Sequence, residues 1–210
     1  MRALQSWHGS KKPSRRARAL SVGAAAALLT ACASGGGTRP SPLPSPVAGN
    51  AEGAMATDTG YLRSRGLTIP VLGVTLDRLS DSFYEPRGEG RLHHAIDIMA
   101  PRGTPVLAAD NGTITRVSSN TLGGLTIYAI DPLRRLVYYY AHLDHYDIIA
   151  HKGKAVSKGD VIGYVGTTGD ARGGPPHLHF QVMRYGDERR WWDGEPIDPF
   201  PYFATTGQDR

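Results

Sequence analysis

A short segment near the end of the chain alternates histidine with apolar residues, as His177-Leu178-His179-Phe180. Successive side chains of an extended strand point to opposite faces, so both histidines lie on one face and Leu178 and Phe180 lie on the other. The pattern therefore predicts a β-strand whose apolar face packs into a core. A fold that uses this strand must leave its histidine face open to a site.

A second cluster, His93-x-x-x-Asp97, lies upstream of that strand. Zinc in proteins is bound by neutral imidazole and by carboxylate, and a site with three protein ligands keeps a fourth tetrahedral position open for water. Structural zinc sites are instead closed by four protein ligands and are usually rich in cysteine, whereas this chain has one cysteine. The two clusters together predict a hydrolytic metal site.

The N-terminal segment has the features of an export signal. Five basic residues at positions 11–18 precede an apolar run from Ala19 to Ala31, which is shorter than the roughly 20 residues that span a bilayer. The run ends in Leu29-Thr30-Ala31-Cys32, which resembles a bacterial lipobox, where the cysteine is lipidated and becomes the new N-terminus. We predict a lipoprotein signal peptide at residues 1–31 and lipidation at Cys32. A plain signal peptide followed by an incidental cysteine is the alternative.

Removal of that signal peptide changes the charge of the chain. The whole chain carries +5 at pH 7, and its first 31 residues contain six basic and no acidic side chains, so the remainder carries −1. The high isoelectric point therefore gives no support for nucleic-acid binding. With the one cysteine assigned to lipid, we expect the mature chain to be stabilised by its core and by metal rather than by a disulfide.

The composition changes again after Cys32. Residues 33–50 are rich in glycine, serine and proline, and residues 51–60 remain small and polar, so neither segment can bury enough apolar surface to fold. We predict a disordered linker at residues 32–60, which begins with the lipidated cysteine. One domain of ordinary size is predicted at residues 61–205.

Short β-forming segments alternate with turn residues inside the predicted domain, and no segment has a sustained helical period. Turn signals such as Asp110-Asn111-Gly112 separate these segments. The clearest predicted strands are residues 104–109, 112–118, 125–130 and 136–141. Strands at this spacing predict a mainly β fold, namely a single antiparallel β-sandwich or curved sheet.

Alternation in the segment that precedes His142 predicts one shared face for Leu136, Tyr138, Tyr140 and His142. The two tyrosines then either border the site or pack across neighbouring strands, and packing is the favoured role for each.

Three motifs occur in the order His93-His94-Ala95-Ile96-Asp97, Tyr140-Ala141-His142-Leu143 and His177-Leu178-His179-Phe180. They resemble the motifs of the M23 (LytM or lysostaphin-like) zinc peptidases of bacterial cell walls, and the resemblance extends from about Ile69 to Phe200. It implies the fold of that family and zinc as the cofactor. It implies zinc ligands at His93, Asp97 and His179, and catalytic histidines at His142 and His177.

General chemistry agrees with these implied roles. Zinc lowers the pKa of a bound water from 15.7 to about 7 and polarises a scissile carbonyl. One histidine can take the proton of the water and return a proton to the leaving amine, while another stabilises the oxyanion. We expect His177 to lead as base and His142 to assist, with the division of roles left open.

The remaining histidines, Ala95 and Gln181 lead to further predictions. No motif requires His94, His145 or His151, which we expect to be surface or hydrogen-bonded histidines. Ala95 stands where the family often has glycine, and we expect its methyl group to narrow the approach of substrate. Gln181 stands at a position where an acidic residue is frequent in the family.

Several glycines of the predicted domain would let a substrate backbone approach closely, although turn formation is the favoured role for most of them. These glycines lie at positions 123, 124, 163, 166, 169, 173 and 174.

The predicted function is zinc-dependent hydrolysis of peptide bonds in peptidoglycan by a metal-activated water. The predicted partners are the peptidoglycan peptide and, through the lipid on Cys32, a membrane, with division or wall-hydrolase proteins as further candidates. Ala33 does not resemble an inner-membrane retention signal, so the expected location is the periplasmic face of the outer membrane in the cell envelope.

Two other functions remain open. The first is a wall-binding regulator or activator of another peptidoglycan hydrolase, with little activity of its own. The second is a metal-binding or carbohydrate-binding module without turnover, which does not explain why both His142 and His177 are present. The sequence leaves open whether a D,D cross-link, a stem peptide or a glycyl bridge is cleaved, whether an upstream segment is inhibitory, and the oligomeric state.

Overall fold

The computed structural model describes residues 50–204, so the predicted signal peptide, Cys32 and most of the predicted linker lie outside the described residues. Within residues 50–204 the chain forms one α-helix, α1 (Asn50–Arg65), and a nine-stranded sheet. The strands are β1 (Ile96–Met99), β2 (Pro105–Leu107), β3 (Gly112–Asn120), β4 (Gly124–Ile130), β5 (Leu136–Tyr146), β6 (Ala155–Val156), β7 (Val161–Val165), β8 (His177–Arg184) and β9 (Pro196–Ile197). Short 3-10 helices lie at Leu76–Arg78, Gly88–Gly90, Gly169–Ala171 and Phe200–Tyr202.

All neighbouring strands of the sheet run antiparallel, in the order β1-β8-β5-β4-β3-β6. The long strand β5 pairs with β8 along its first half and with β7 near its end. Strand β2 extends the sheet beyond β7, and β9 pairs with β8. The prediction of a mainly β fold with an antiparallel sheet is therefore confirmed, and the strands belong to one sheet.

The two faces of the sheet differ in burial. One face carries the main core, in which Ile96 and Ile98 of β1 pack with Leu178 and Phe180 of β8. The opposite face carries Asp97 of β1, Tyr139 of β5 and His179 of β8, and is called the site face below. Leu178 and Phe180 have no exposed area, whereas the side chains of His177 and His179 are 16% and 20% exposed. The predicted alternation of β8 is confirmed.

Helix α1 has no counterpart in the predicted elements, and the predicted domain boundary at residue 61 falls inside it. Leu62 is buried in the main core, and the Asp58 carboxylate accepts hydrogen bonds from Arg135 Nη2 at 2.7 Å and Arg184 Nε at 2.6 Å. The folded unit therefore begins before residue 61. The helix has no sustained apolar stripe, and ion pairs to distant residues help to dock it. No helix within residues 50–204 is long and apolar enough to cross a membrane.

We expect Arg65→Ala to lower the free energy of unfolding by about 2 kcal/mol, because the buried Asp110 carboxylate loses two charged hydrogen bonds. Arg65 donates from Nε to Oδ2 at 2.6 Å and from Nη2 to Oδ1 at 2.9 Å, and the Asp110 side chain is 1% exposed. Urea unfolding followed by circular dichroism measures the loss. Arg63→Ala on the same helix is the control, with an expected change within about 0.5 kcal/mol because Arg63 is exposed. Equal losses of unfolding free energy in the two variants would contradict the stabilising role of the Arg65–Asp110 ion pair.

Candidate metal centre

Strand register brings two of the predicted ligands together. Asp97 of β1 lies directly opposite His179 of β8, and on its other side His179 lies opposite Ala141 of β5. Side chains at paired positions share one face of a sheet, so Asp97 and His179 project together from the site face. The small side chain of Ala141 leaves the space beside His179 open, and all three residues line the same cleft.

His93 reaches the same point from the segment that precedes β1. Its Nδ1 donates a hydrogen bond to the carbonyl oxygen of Ser82 at 3.0 Å, and its backbone N–H donates to Glu85 O at 2.9 Å. His93 and His94 precede the strand, because β1 begins at Ile96. His94 instead has a left-handed backbone, with φ of 56°, and its ring lies against Phe83. His94 is not among the residues that line the cleft.

Three potential ligand atoms form a nearly equilateral triangle. His93 Nε2 lies 3.0 Å from Asp97 Oδ1, His179 Nδ1 lies 3.0 Å from the same oxygen, and the two nitrogens are 3.1 Å apart. Because the Ser82 carbonyl only accepts, the proton of a neutral His93 ring is on Nδ1 and its Nε2 offers a lone pair. Such atoms repel one another at this distance unless a proton or a cation lies among them.

Zinc fits this donor set. Bonds of about 2.0 to 2.1 Å in a tetrahedron place two ligand atoms about 3.3 Å apart, close to the spacing of the triangle. The triangle combines two imidazole nitrogens with one carboxylate oxygen, and within residues 50–204 it is the group of side chains that could hold a metal ion. The predicted ligands His93, Asp97 and His179 are thus brought together, and their role as zinc ligands stays a prediction.

Arg87 is a site residue that the sequence patterns did not reveal. Its Nη2 donates to Asp97 Oδ2 at 2.7 Å, so one carboxylate oxygen faces the triangle and the other is held by a guanidinium. Burial raises the pKa of Asp97, but the contacts with His179 and His93 outweigh burial and hold that pKa well below its usual range. The carboxylate is therefore ionised. A loop arginine without periodic neighbours gives no sequence signal for such a contact.

His142 reaches the site through a break in the alternation of β5. The prediction that His142 shares a face with Tyr138 and Tyr140 is wrong, because both tyrosines are fully buried in the main core. His142 has φ of 60°, and its N–H donates to Gly123 O at 2.8 Å. A left-handed residue of this kind, as in a β-bulge, turns the following side chains to new faces. The tyrosine that borders the site is Tyr139, which lines the cleft.

The two predicted catalytic histidines are oriented in the same way. Nδ1 of His177 donates to Pro175 O at 3.0 Å, and Nδ1 of His142 donates to Thr168 O at 2.9 Å. The neutral rings therefore carry their lone pairs on Nε2. Nε2 of His177 lies 3.9 Å from Asp97 Oδ1. The ring centres of His142 and His177 are 5.0 Å apart.

Electrostatics favours the neutral form of His142. Burial lowers its pKa, the hydrogen bond to Thr168 acts in the opposite direction, and the neighbouring His179 and His177 lower the pKa further. Asp170, another residue that the sequence patterns did not reveal, has Oδ1 at 3.7 Å from His142 Nε2. The His142 ring can therefore accept a proton at Nε2, and the nearby Asp170 carboxylate would stabilise the charged form of the ring.

Glycines behind His142 hold Thr168 in place. Gly124 and Gly169 have φ of 63° and 74°, and a Cβ atom would lie 2.2 Å from Thr168 Oγ1 at the first and 2.1 Å from Leu122 O at the second. These positions exclude any larger residue. At these two positions the close approach is therefore made by the chain itself. This close packing holds the Thr168 carbonyl in position to accept the hydrogen bond from His142.

The five predicted site residues line one cleft of about 640 Å³, together with Asp170. The five are His93, Asp97, His142, His177 and His179. The floor of the cleft includes Tyr139 and Gln181, and the loop of residues 87–92 forms one wall. Ala95 is fully buried and does not line the cleft, so the expectation that its methyl group narrows the approach of substrate is wrong.

The remaining histidines of the domain lie elsewhere. His145 stacks on Tyr164 with ring centres 4.2 Å apart, and His151 is exposed and contacts the Lys152 carbonyl. Neither lines the cleft of the candidate metal centre, as expected for residues outside the three motifs.

Three curated proteins illustrate what the chain is similar to. It is 32% identical over 125 residues to the L-Ala–D-Glu endopeptidase of Bacillus subtilis, covering 56% of this chain and 37% of that protein. It is 32% identical over 114 residues to the peptidoglycan DD-endopeptidase ShyC of Vibrio cholerae, covering 52% and 25%. It is 30% identical over 137 residues to the lipoprotein NlpD/LppB homolog of Pseudomonas aeruginosa, covering 65% and 39%. The chain thus spans about two fifths or less of each relative.

A solved structure shares the fold. The orthorhombic crystal structure of Csd3 from Helicobacter pylori matches with a TM-score of 0.52 at 27% sequence identity, covering 69% of this chain and 38% of that chain. The shared part therefore corresponds to the domain described above.

The family assignment follows from the sequence match together with this fold. The model of Peptidase family M23 matches residues 91–199, just over half of the chain, and this range contains all five residues of the candidate site. The curated relatives include two named endopeptidases, one of them a peptidoglycan DD-endopeptidase, and a named lipoprotein. The chain belongs to Peptidase family M23.

Proposed function

We propose that this protein is a zinc-dependent endopeptidase that hydrolyses peptide bonds in peptidoglycan. The observation that carries the proposal is the shared cleft, in which the triangle of His93, Asp97 and His179 lies beside the free Nε2 atoms of His142 and His177. Similarity to a peptidoglycan DD-endopeptidase and to an L-Ala–D-Glu endopeptidase supports peptidoglycan as the substrate.

The proposed ligands are presented by fixed neighbours. His93 would bind through Nε2, because Ser82 holds the proton on Nδ1, and Asp97 through Oδ1, because Arg87 engages Oδ2. His179 would bind through Nδ1. Zinc bound there would supply Lewis acidity, which lowers the pKa of water to about 7 and polarises a peptide carbonyl. Each fixed neighbour reduces the number of conformations that the ligands must lose on binding.

The two remaining histidines would move protons. His177 accepts the proton of the attacking water at Nε2 and returns a proton to the leaving amine. His142, once protonated at Nε2, donates to the carbonyl oxygen that gains negative charge, and Asp170 stabilises this charged ring. The hydrogen bonds of both Nδ1 atoms to backbone carbonyls prevent the rings from turning away during the reaction.

The proposed cellular arrangement is a lipid anchor at Cys32, a proline-rich linker and the peptidase domain at the periplasmic face of the outer membrane. The lipobox-like sequence before Cys32 supports the anchor, and the similarity to a lipoprotein supports an envelope location. The linker would let the domain reach the wall, because proline-rich segments are extended.

A wall-binding regulator with little activity of its own is the alternative. Such a role needs no intact metal site, whereas here all five residues line one cleft. Their arrangement therefore favours the peptidase.

We expect His177→Ala to lower hydrolysis of isolated peptidoglycan at least about 100-fold, because the base is lost. The purified, zinc-loaded full-length chain is incubated with isolated peptidoglycan, and the muropeptides are identified by mass spectrometry. Wild type should convert cross-linked fragments into smaller ones, and His145→Ala, a histidine variant outside the cleft, should do the same. Absence of conversion by the wild type despite bound zinc would favour the regulator.

We expect Arg87→Gln to weaken zinc binding about 10- to 100-fold, because Asp97 loses the group that orients it. Competition with a chromophoric chelator measures the zinc dissociation constant without any peptide substrate. Arg91→Gln is the matched control, since Arg91 lies in the same loop and lines the same cleft. Equal zinc affinity in wild type and Arg87→Gln would exclude Arg87 as a positioning residue for the metal site.

A further inference from the structure

A row of side chains crosses the site face from the candidate metal centre to the far side of the sheet. Strand register pairs Gln181 with Tyr139, Tyr139 with Tyr128, and Tyr128 with Arg116, so these residues follow one another over β8, β5, β4 and β3. The Tyr139 ring centre lies 6.1 Å from that of His179, and the Tyr128 ring follows at 4.6 Å. The row therefore begins at the proposed catalytic cleft.

Two tryptophans stand at the other end of this row. They belong to the connection between β8 and β9, residues 185–195. Trp191 meets Tyr128 edge to face at 5.7 Å, and Trp192 meets Trp191 at 5.4 Å. The guanidinium of Arg116 lies 5.7 Å from the ring centre of Tyr128 and 5.6 Å from that of Trp192. Aromatic and cationic groups thus continue from the catalytic cleft to this loop.

Packing accounts for only part of this arrangement. Tyr128, Tyr139 and Trp191 pack on a small buried cluster of Ile130, Val137 and Met183. Trp192 is not part of that cluster and is 37% exposed, and Arg116 is exposed as well. Both line a second cleft, of about 1270 Å³, whose other polar residues include Thr113, Thr115 and Glu188. An exposed tryptophan beside a cleft of this size is a frequent mark of a ligand site.

We propose that this second cleft binds the glycan strand of peptidoglycan, a chain of N-acylated amino sugars, while the peptide attached to the strand occupies the catalytic cleft. The inference rests on the proposed function. A pyranose ring presents a face of C–H groups that packs on an aromatic ring, which Trp192 offers. Its hydroxyl and acetamido groups need polar partners, and Arg116 and the Thr113 hydroxyl can donate while Glu188 accepts.

The distance between the two clefts limits which bond of the peptide can reach the candidate metal centre. Three strand spacings separate β8 from β3, or about 14 Å. An extended peptide covers this distance with about four residues. A stem peptide whose sugar lies at Trp192 therefore places a bond about four residues from the sugar at the candidate metal centre. This geometry selects a cross-link at the far end of the stem over the bonds next to the sugar.

Calorimetric titration of the full-length chain with peptide-free glycan strands tests the glycan site without any cleavable bond. We expect saturable binding by the wild type and about tenfold weaker binding by Trp192→Ala, the effect of losing one aromatic contact. Arg116→Gln, an exposed substitution that preserves the fold, should also weaken binding. Ile148→Ala is the control, because Ile148 is 93% exposed and does not line the cleft. Failure of the wild type to bind, or equal binding by all variants, overturns the proposal.

Cross-linked muropeptides with and without their sugars provide the second test. We expect Trp192→Ala to raise KM about tenfold for the sugar-bearing substrate and to leave KM and kcat for the sugar-free peptide unchanged. Equal effects on both substrates would overturn the glycan site, as would cleavage next to the sugar by the wild type. A wild type that binds glycan but cleaves neither substrate would instead refute the proposed peptidase and leave the glycan site standing.

Discussion

The site depends on the pairing of β8 with β1 on one side and β5 on the other. This register sets His179 between Asp97 and Ala141, so the carboxylate of a proposed ligand lies on one side and open space on the other. The alternation of β8 sends Leu178 and Phe180 into the main core, where they have no exposed area. A slip of one residue would exchange the buried and the site-facing side chains, so burial of the core also secures the ligand geometry.

Backbone carbonyls are the second device that organises the site. Ser82, Thr168 and Pro175 accept from Nδ1 of His93, His142 and His177, and each leaves Nε2 free on the cleft side. A carbonyl oxygen cannot donate, so it selects one tautomer without adding a charge. The left-handed backbone of His142 is uncommon outside glycine, and its hydrogen bond to Gly123 maintains it. The glycines at 124 and 169 allow the supporting loop to approach.

The proposed catalytic cleft and the row of Gln181, Tyr139, Tyr128 and Arg116 share one face, because strand register aligns their side chains across the sheet. Gln181, Tyr139, Tyr128 and Arg116 form a continuous path, and the β8–β9 connection raises Trp191 and Trp192 over its end. The main core occupies the opposite face, and Trp192 and Arg116 are exposed on this one. A polymer with a peptide branch matches such a surface, because its two parts can occupy two neighbouring clefts.

The sequence by itself determined the residue types that carry chemistry, the mainly β fold and the two faces of β8, because residue identity and alternation are local properties. Only the tertiary structure decided that His142 leaves the face of Tyr138 and Tyr140, since a positive φ interrupts the alternation. It also decided the contact of Arg87 with Asp97 and the docking of α1 through Asp58. These contacts join loops and elements without periodic patterns, and their energy comes from ion pairs between residues that only folding brings together.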